Sequence, residues 1–161
     1  MTDSTHNQLV IDLGRDLISQ IAPQEIPIFR ANSEAYFKDP QKALSARAGK
    51  DETLGFGIGE AAAFLTPVVL AVATEAIKFL AEEVKRSLAT ETSSLIDEMV
   101  KKLFKRFHPA EKKEVPQTLS KQQIEQVREL SFAKARQLNF TEDQANVLAD
   151  ALAASLVTAA T

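Results

Sequence analysis

Two places in this chain combine residue types and spacings that could do chemistry. The first is Thr53-Leu54-Gly55-Phe56-Gly57-Ile58-Gly59, where three of the five glycines stand on alternate positions ahead of an apolar segment that reaches Leu80. Glycine supplies backbone plasticity there, and Phe56 and Ile58 supply apolar anchors. The second is a basic cluster: Lys101, Lys102, Lys105, Arg106, Lys112 and Lys113 stand against Glu111 alone, beside Leu103, Phe104 and Phe107. A basic amphipathic helix of this kind can rest on anionic lipid. The same cations also suit a solvated helix face, placed favourably at a C-terminus.

Catalytic chemistry finds no matching constellation. His6 and His108 are far apart in sequence, the first near the N-terminus and the second at an expected helix end. Glu60 is a lone carboxylate in an apolar stretch, more in keeping with a lysine partner than with acid–base work. No HExxH, paired ExxH or Asp-rich loop offers a metal site. The glycine run lacks a preceding strand and a GK[ST] ending, and Glu60 would repel an anion at the following helix start, so it is not a phosphate loop. The chain has no cysteine, which excludes disulfides, thiol catalysis and cysteine-ligated zinc. A non-enzymatic protein without cofactor, metal or small-molecule substrate is the expectation.

Charge narrows the partners. The formal net charge is only -3, and residues 119–161 hold four basic against five acidic side chains. That balance opposes phosphate, so a nucleic-acid partner is not expected. The polar start Thr2-Asp3-Ser4-Thr5-His6-Asn7, followed by apolar residues broken by Asp12, Arg15 and Asp16, does not read as a signal peptide.

The elements that must position these residues are helices. Ala, Leu, Glu, Lys and Gln dominate between sparse Gly and Pro. A first helix from about Ser4 to Ile21 carries the stripe Val10, Leu13, Leu17, Ile21, with Gly14 as its weak point. Pro23 and Pro27 predict an extended or turn-like Gln24–Phe29, then a short helix over Glu34–Lys38 capped by Ser33 or Asn32. Asp39-Pro40 starts another short helix that ends at Gly49. In the apolar segment Thr66 caps a helix whose first position is Pro67, and the helix runs to about Ala89. A further helix is expected over Ser94–Phe107, with Leu95, Ile96, Met99, Val100, Leu103, Phe104 and Phe107 on its apolar face, ended by His108-Pro109.

The C-terminal part has the clearest local signals. Ser120 with Gln123, and Thr141 with Gln144, are capping boxes, and Leu119 can staple to Ile124. Asn139 suits a left-handed cap between the two helices. The last helix carries Ala145, Leu148, Ala149, Leu152 and Leu156 on one face. The expected organisation is therefore all-α: a bundle of about five helices, comprising residues 1–107 with a central apolar helix, a linker at 108–118, and a helical hairpin at 119–161.

Within Leu54–Leu80, Ala61–Thr74 is an uncharged run of about 14 residues, short for a membrane span. On a helical projection Pro67, Ala71, Thr74, Lys78 and Lys85 form a narrow small-or-polar stripe, opposite a broad apolar arc including Leu65, Val69, Val72, Phe79 and Leu80. Such a helix suits a bundle core, or a segment that leaves the bundle and turns its arc toward lipid.

Leu54-Gly55-Phe56-Gly57-Ile58-Gly59, Thr66-Pro67-Val68 and the Leu119–Leu156 hairpin together resemble small bacterial helical proteins of conflict and cell-death signalling systems, and more loosely HeLo-like membrane-permeabilising bundles. The apolar segment is internal here, where the HeLo pattern has it N-terminal. The resemblance implies a helical bundle that exposes an apolar helix on activation. The first functional expectation is a cytoplasmic, oligomerising bacterial effector or signalling module, peripheral at the inner face of an anionic membrane when it engages through Gly55–Leu80. Contact residues on that reading are Phe56, Ile58, Phe64, Leu65 and Val69, with Lys101, Lys102, Lys105 and Arg106. The second reading is a soluble helical adaptor that binds a partner protein and keeps the apolar segment buried.

Overall fold

The computed structural model describes residues 2–44, 65–88, 100–101, 103–104 and 119–156. These residues form an all-α bundle: α1 (Thr2–Ile21), a 3-10 turn (Pro23–Glu25), α2 (Ile26–Lys38), α3 (Thr66–Leu88), α4 (Lys121–Gln137) and α5 (Glu142–Ala154). Among the described residues there is no strand, only an isolated antiparallel bridge between Phe104 and Leu156.

The helix α3 is the centre. It packs against α1, α2 and α4, while α5 packs on α4 and returns to α1. One continuous apolar core results, with Leu13, Leu17 and Ile18 of α1, Phe29 of α2, Leu70, Ile77 and Leu80 of α3, and Leu148 and Leu152 of α5 among its fully buried side chains. The first two turns of α3 are buried on every side: Val68 to Ala73 are consecutive core residues. Only from Lys78 onward do exposed charges (Lys78, Glu82, Lys85, Arg86) give the helix a wet edge. Accordingly Pro67 and Ala71, expected on a small-or-polar stripe, are themselves buried.

Gly14 has a reason in this packing. A Cβ built there would lie 2.6 Å from Leu70 Cδ2, so α1 and α3 approach each other through the missing side chain. The helix-propensity cost of glycine, roughly 1 kcal/mol, is accepted for that close approach.

The hairpin is built as its sequence specifies. Ser120 Oγ accepts the Gln123 N–H at 3.1 Å while Gln123 Oε1 accepts the Ser120 N–H at 2.9 Å. Thr141 and Gln144 repeat the pair at 3.1 and 3.0 Å. Asn139 has φ 76°, the left-handed conformation that ends α4. Leu119 is buried, Ile124 packs half-buried against the core, and Ala145, Leu148, Ala149, Leu152 and Leu156 are all buried. Asp39 also caps as expected: its Oδ1 accepts the Lys42 N–H at 3.2 Å, and residues 40–44 are helical.

Three expectations are corrected. Gln24–Phe29, expected extended or turn-like, is a turn only over Gln24 and Glu25 and helical from Ile26, and no separate helix begins at Glu34. Pro23 opens the 3-10 turn and Pro27 falls in the first turn of α2, positions where a missing N–H costs nothing. Ser33 therefore lies inside α2, where its hydroxyl donates to the Phe29 carbonyl at 2.6 Å instead of capping. The helix expected over Ser94–Phe107 does not run through Phe104. Leu103 and Phe104 donate i→i+3 bonds to Val100 and Lys101, and Phe104 then pairs with Leu156. Leu103 and Phe104 are both buried there. Finally, the cap of α3 is not Thr66. The Leu65 carbonyl already accepts the Val69 N–H at 2.9 Å, so Leu65 is the capping position and Pro67 is one place further in. The expected helix end at Gly49, the glycine run and the 108–118 linker lie outside the described residues.

Candidate functional site

The residues singled out from sequence are placed as follows. Val69 has 0% exposure, deep in the core. Leu65 is half-buried at the head of α3. Lys101 is exposed, one helical position after the fully buried Val100. Phe56, Ile58, Phe64, Lys102, Lys105 and Arg106 lie outside the described residues. The described part of the apolar arc is thus turned inward, with Val69, Val72 and Leu80 all at 0% exposure and Phe79 half-buried. Among the described residues no helix is long and apolar enough to cross a membrane, and no group of three or more His, Asp or Glu side chains could hold a metal ion.

A feature that sequence reading missed sits at the head of α3. Glu25, only 5% exposed, comes from the 3-10 turn between α1 and α2. Its Oε2 accepts the Leu65 N–H at 2.8 Å, and its Oε1 accepts the Thr66 N–H at 3.1 Å and the Thr66 hydroxyl at 2.7 Å. A carboxylate at a helix N-terminus satisfies orphan N–H groups and meets the positive end of the helix dipole. No acidic residue stands in the first turn of α3 itself, so a residue 40 positions away supplies what the local sequence lacks. The available signal was a lone Glu in Ala22-Pro23-Gln24-Glu25-Ile26-Pro27, a setting too apolar for a solvated carboxylate. This clasp is structural, with both carboxylate oxygens bonded to the head of α3.

The feature open to a partner is a groove of about 500 Å³ between α1 and α2. Ile11, Phe29 and Phe37 line its apolar part, and Asn7 and Ser33 add polar edges. Arg15, Arg30, Glu34 and Lys38 also line it. Arg30 and Glu34 pair with each other at 3.3 Å on highly exposed side chains. The Arg15 guanidinium lies 6.0 Å from the Phe29 ring centre, within reach of a cation–π attraction. Arg15 and Lys38 form no ion pair among the described residues, so the groove has an apolar floor and an unneutralised basic rim. On the other side of α2, Tyr36 packs edge-on to Phe37 at 5.2 Å. Burial raises the Tyr36 pKa above its ordinary value, and the nearby Glu75 charge adds to the rise. The neighbouring Thr74 side chain offsets part of it. A second, smaller hollow of about 310 Å³ lies between α1 and α5, beside Leu13, Asp16, Phe104 and Ala151.

Comparison with protein-family models, with curated proteins and with solved structures finds no match to this chain.

Proposed function

We propose that this chain is a non-enzymatic helical interaction module that keeps α3 in its core and meets a partner helix through the groove between α1 and α2. The observation that carries the reading is the burial of α3. Val68, Val69, Leu70, Val72, Ile77, Leu80 and Val84 are each at most 2% exposed. Because α1, α2 and α4 all pack on this helix, turning its arc toward lipid requires those contacts to come apart, whereas docking at the α1–α2 groove leaves the core intact. Helix-in-groove recognition needs an apolar floor with directing charges at its rim, which the groove supplies. The resemblance described above supplies only the setting, a bacterial conflict-signalling system; the adaptor role rests on the burial of α3.

Incubation of the purified protein with dye-loaded anionic vesicles separates this reading from a membrane-engaging effector. The module leaves the vesicles intact and stays out of the floated lipid fraction while its helical circular dichroism is unchanged. Dye release by the folded protein would overturn the proposal in favour of engagement through Gly55–Leu80.

A further inference from the structure

We infer that the hairpin is latched onto the bundle through the capping box of α4, so that the first turn of that helix is complete only while α4 stays docked on α3. The two boxes of the hairpin share one local pattern and differ in what lies beyond it. Among the described residues Gln144 bonds only within its own box, its N–H and its Oε1 both turned to Thr141. Gln123 makes the same two bonds to Ser120 and has a further one. Its Nε2 donates to Glu83 Oε1 of α3 at 2.8 Å, a partner 40 residues away.

Glu83 is held ready for this bond. Its side chain is 15% exposed, and its other oxygen, Oε2, pairs with Arg86 Nη1 at 2.6 Å. Arg86 is exposed, so it braces the carboxylate from the solvent side and leaves Oε1 to α4. The first turn of α4 has no acidic residue, whereas that of α5 has Glu142 and Asp143. The positive end of α4 therefore meets a carboxylate brought by another helix. An amide is what position 123 requires. It offers an acceptor to Ser120 and a donor to Glu83 at once, while a glutamate, the other usual residue of a capping box, could serve only the first. Lifting α4 off α3 takes away both the outside partner of Gln123 and the charge at the helix start. The box then rests on its two solvent-exposed bonds to Ser120. Opening of the hairpin and fraying of the start of α4 are thus one event, in which the box of α5 has no share.

Near-isosteric substitutions in the full chain, read by urea denaturation, test the latch. Gln123→Glu keeps the box but sets a second carboxylate against Glu83, and should lower the folding equilibrium constant about tenfold or more. Gln144→Glu, the same change in the box without such a neighbour, should leave that constant within about twofold or raise it. The swapped pair Glu83→Gln/Gln123→Glu again sets a donor against an acceptor and should recover most of the loss. Hydrogen exchange gives a local reading. In Glu83→Ala the amide of Gln123 should exchange about tenfold faster relative to that of Gln144 than it does in the wild type. If Gln123→Glu does not fold, Glu83→Ala, Gln123→Ala and their double variant replace it, and the double variant must exceed the product of the single losses by about threefold in stability constant. The inference is overturned by a Gln123→Glu chain as stable as Gln144→Glu, or by a swapped pair no better than Gln123→Glu alone. Single losses that simply multiply, or relative exchange unchanged by Glu83→Ala, overturn it equally.

Discussion

The α4–α5 hairpin and the junction of α1, α2 and α3 solve the same problem in opposite ways. In the hairpin each helix start is capped by its own flanking residues, three positions apart. At the junction the start of α3 is capped by Glu25, and the approach of α1 to α3 depends on an absent side chain at Gly14. The hairpin is therefore specified by neighbours in sequence, while the junction is specified by residues that become neighbours only on folding. The difference teaches where single substitutions should hurt most: the clasp has no local substitute, whereas a lost box leaves its helix end open to water.

Glu25→Ala tests this most severely. It orphans the buried N–H and hydroxyl of Thr66 and the part-buried N–H of Leu65, and should cost about 3 kcal/mol in chemical denaturation. A loss no greater than that of a hairpin cap would erase the contrast. Next, Gly14→Ala should destabilise by about 1–2 kcal/mol, because overpacking against Leu70 outweighs the roughly 1 kcal/mol gained in helix propensity. An unchanged or raised melting temperature would show that Leu70 yields freely. In the hairpin, Ser120→Ala and Thr141→Ala should each cost about 1 kcal/mol. Their effects should add when combined, since the boxes share no partner, and a double mutant read by urea midpoint checks this.

How much was legible follows the same division. Both capping boxes, the left-handed Asn139, the buried face of α5 and the Asp39 cap could be read because each is a pattern within a few residues. Pro23 and Pro27 misled because proline both ends helices and starts them, and only packing decides which. Thr66 looked like a cap because its hydroxyl is a capping group; in the structure it donates to Glu25 instead. The α1–α2 groove was not foreseen, because its floor joins Ile11 to Phe29 and Phe37, and the start of α2 at Ile26 was read as extended or turn-like chain. Of the expected contact residues, Val69 is a core side chain, and its place on a lipid-facing arc was a matter of helical projection that says nothing about which neighbours cover it.

The smallest effect concerns Tyr36, whose pKa is raised in the folded chain above the ordinary 10.0. The folded state holds the phenol proton more tightly than the unfolded state. This contribution is complete below about pH 10 and is lost as pH climbs through the folded value. Tyr36→Phe should therefore remove part of the alkaline fall in stability while changing it little near neutrality. Urea midpoints at neutral pH and above pH 10 read both, and an alkaline limb unchanged in the variant would assign it elsewhere.

The Glu25 clasp also has a consequence in time. Its partners are 40 and 41 residues away, so it closes only after the intervening chain has paid its loop-closure entropy. Hairpin bonds span three or four residues and form on the microsecond scale of local helix structure. A contact that closes late acts on the rate of opening more than on the rate of folding. Glu25→Ala is therefore expected to speed unfolding more than it slows refolding, which stopped-flow rates in urea would read: the carboxylate at the head of the central helix then works as a brake on opening.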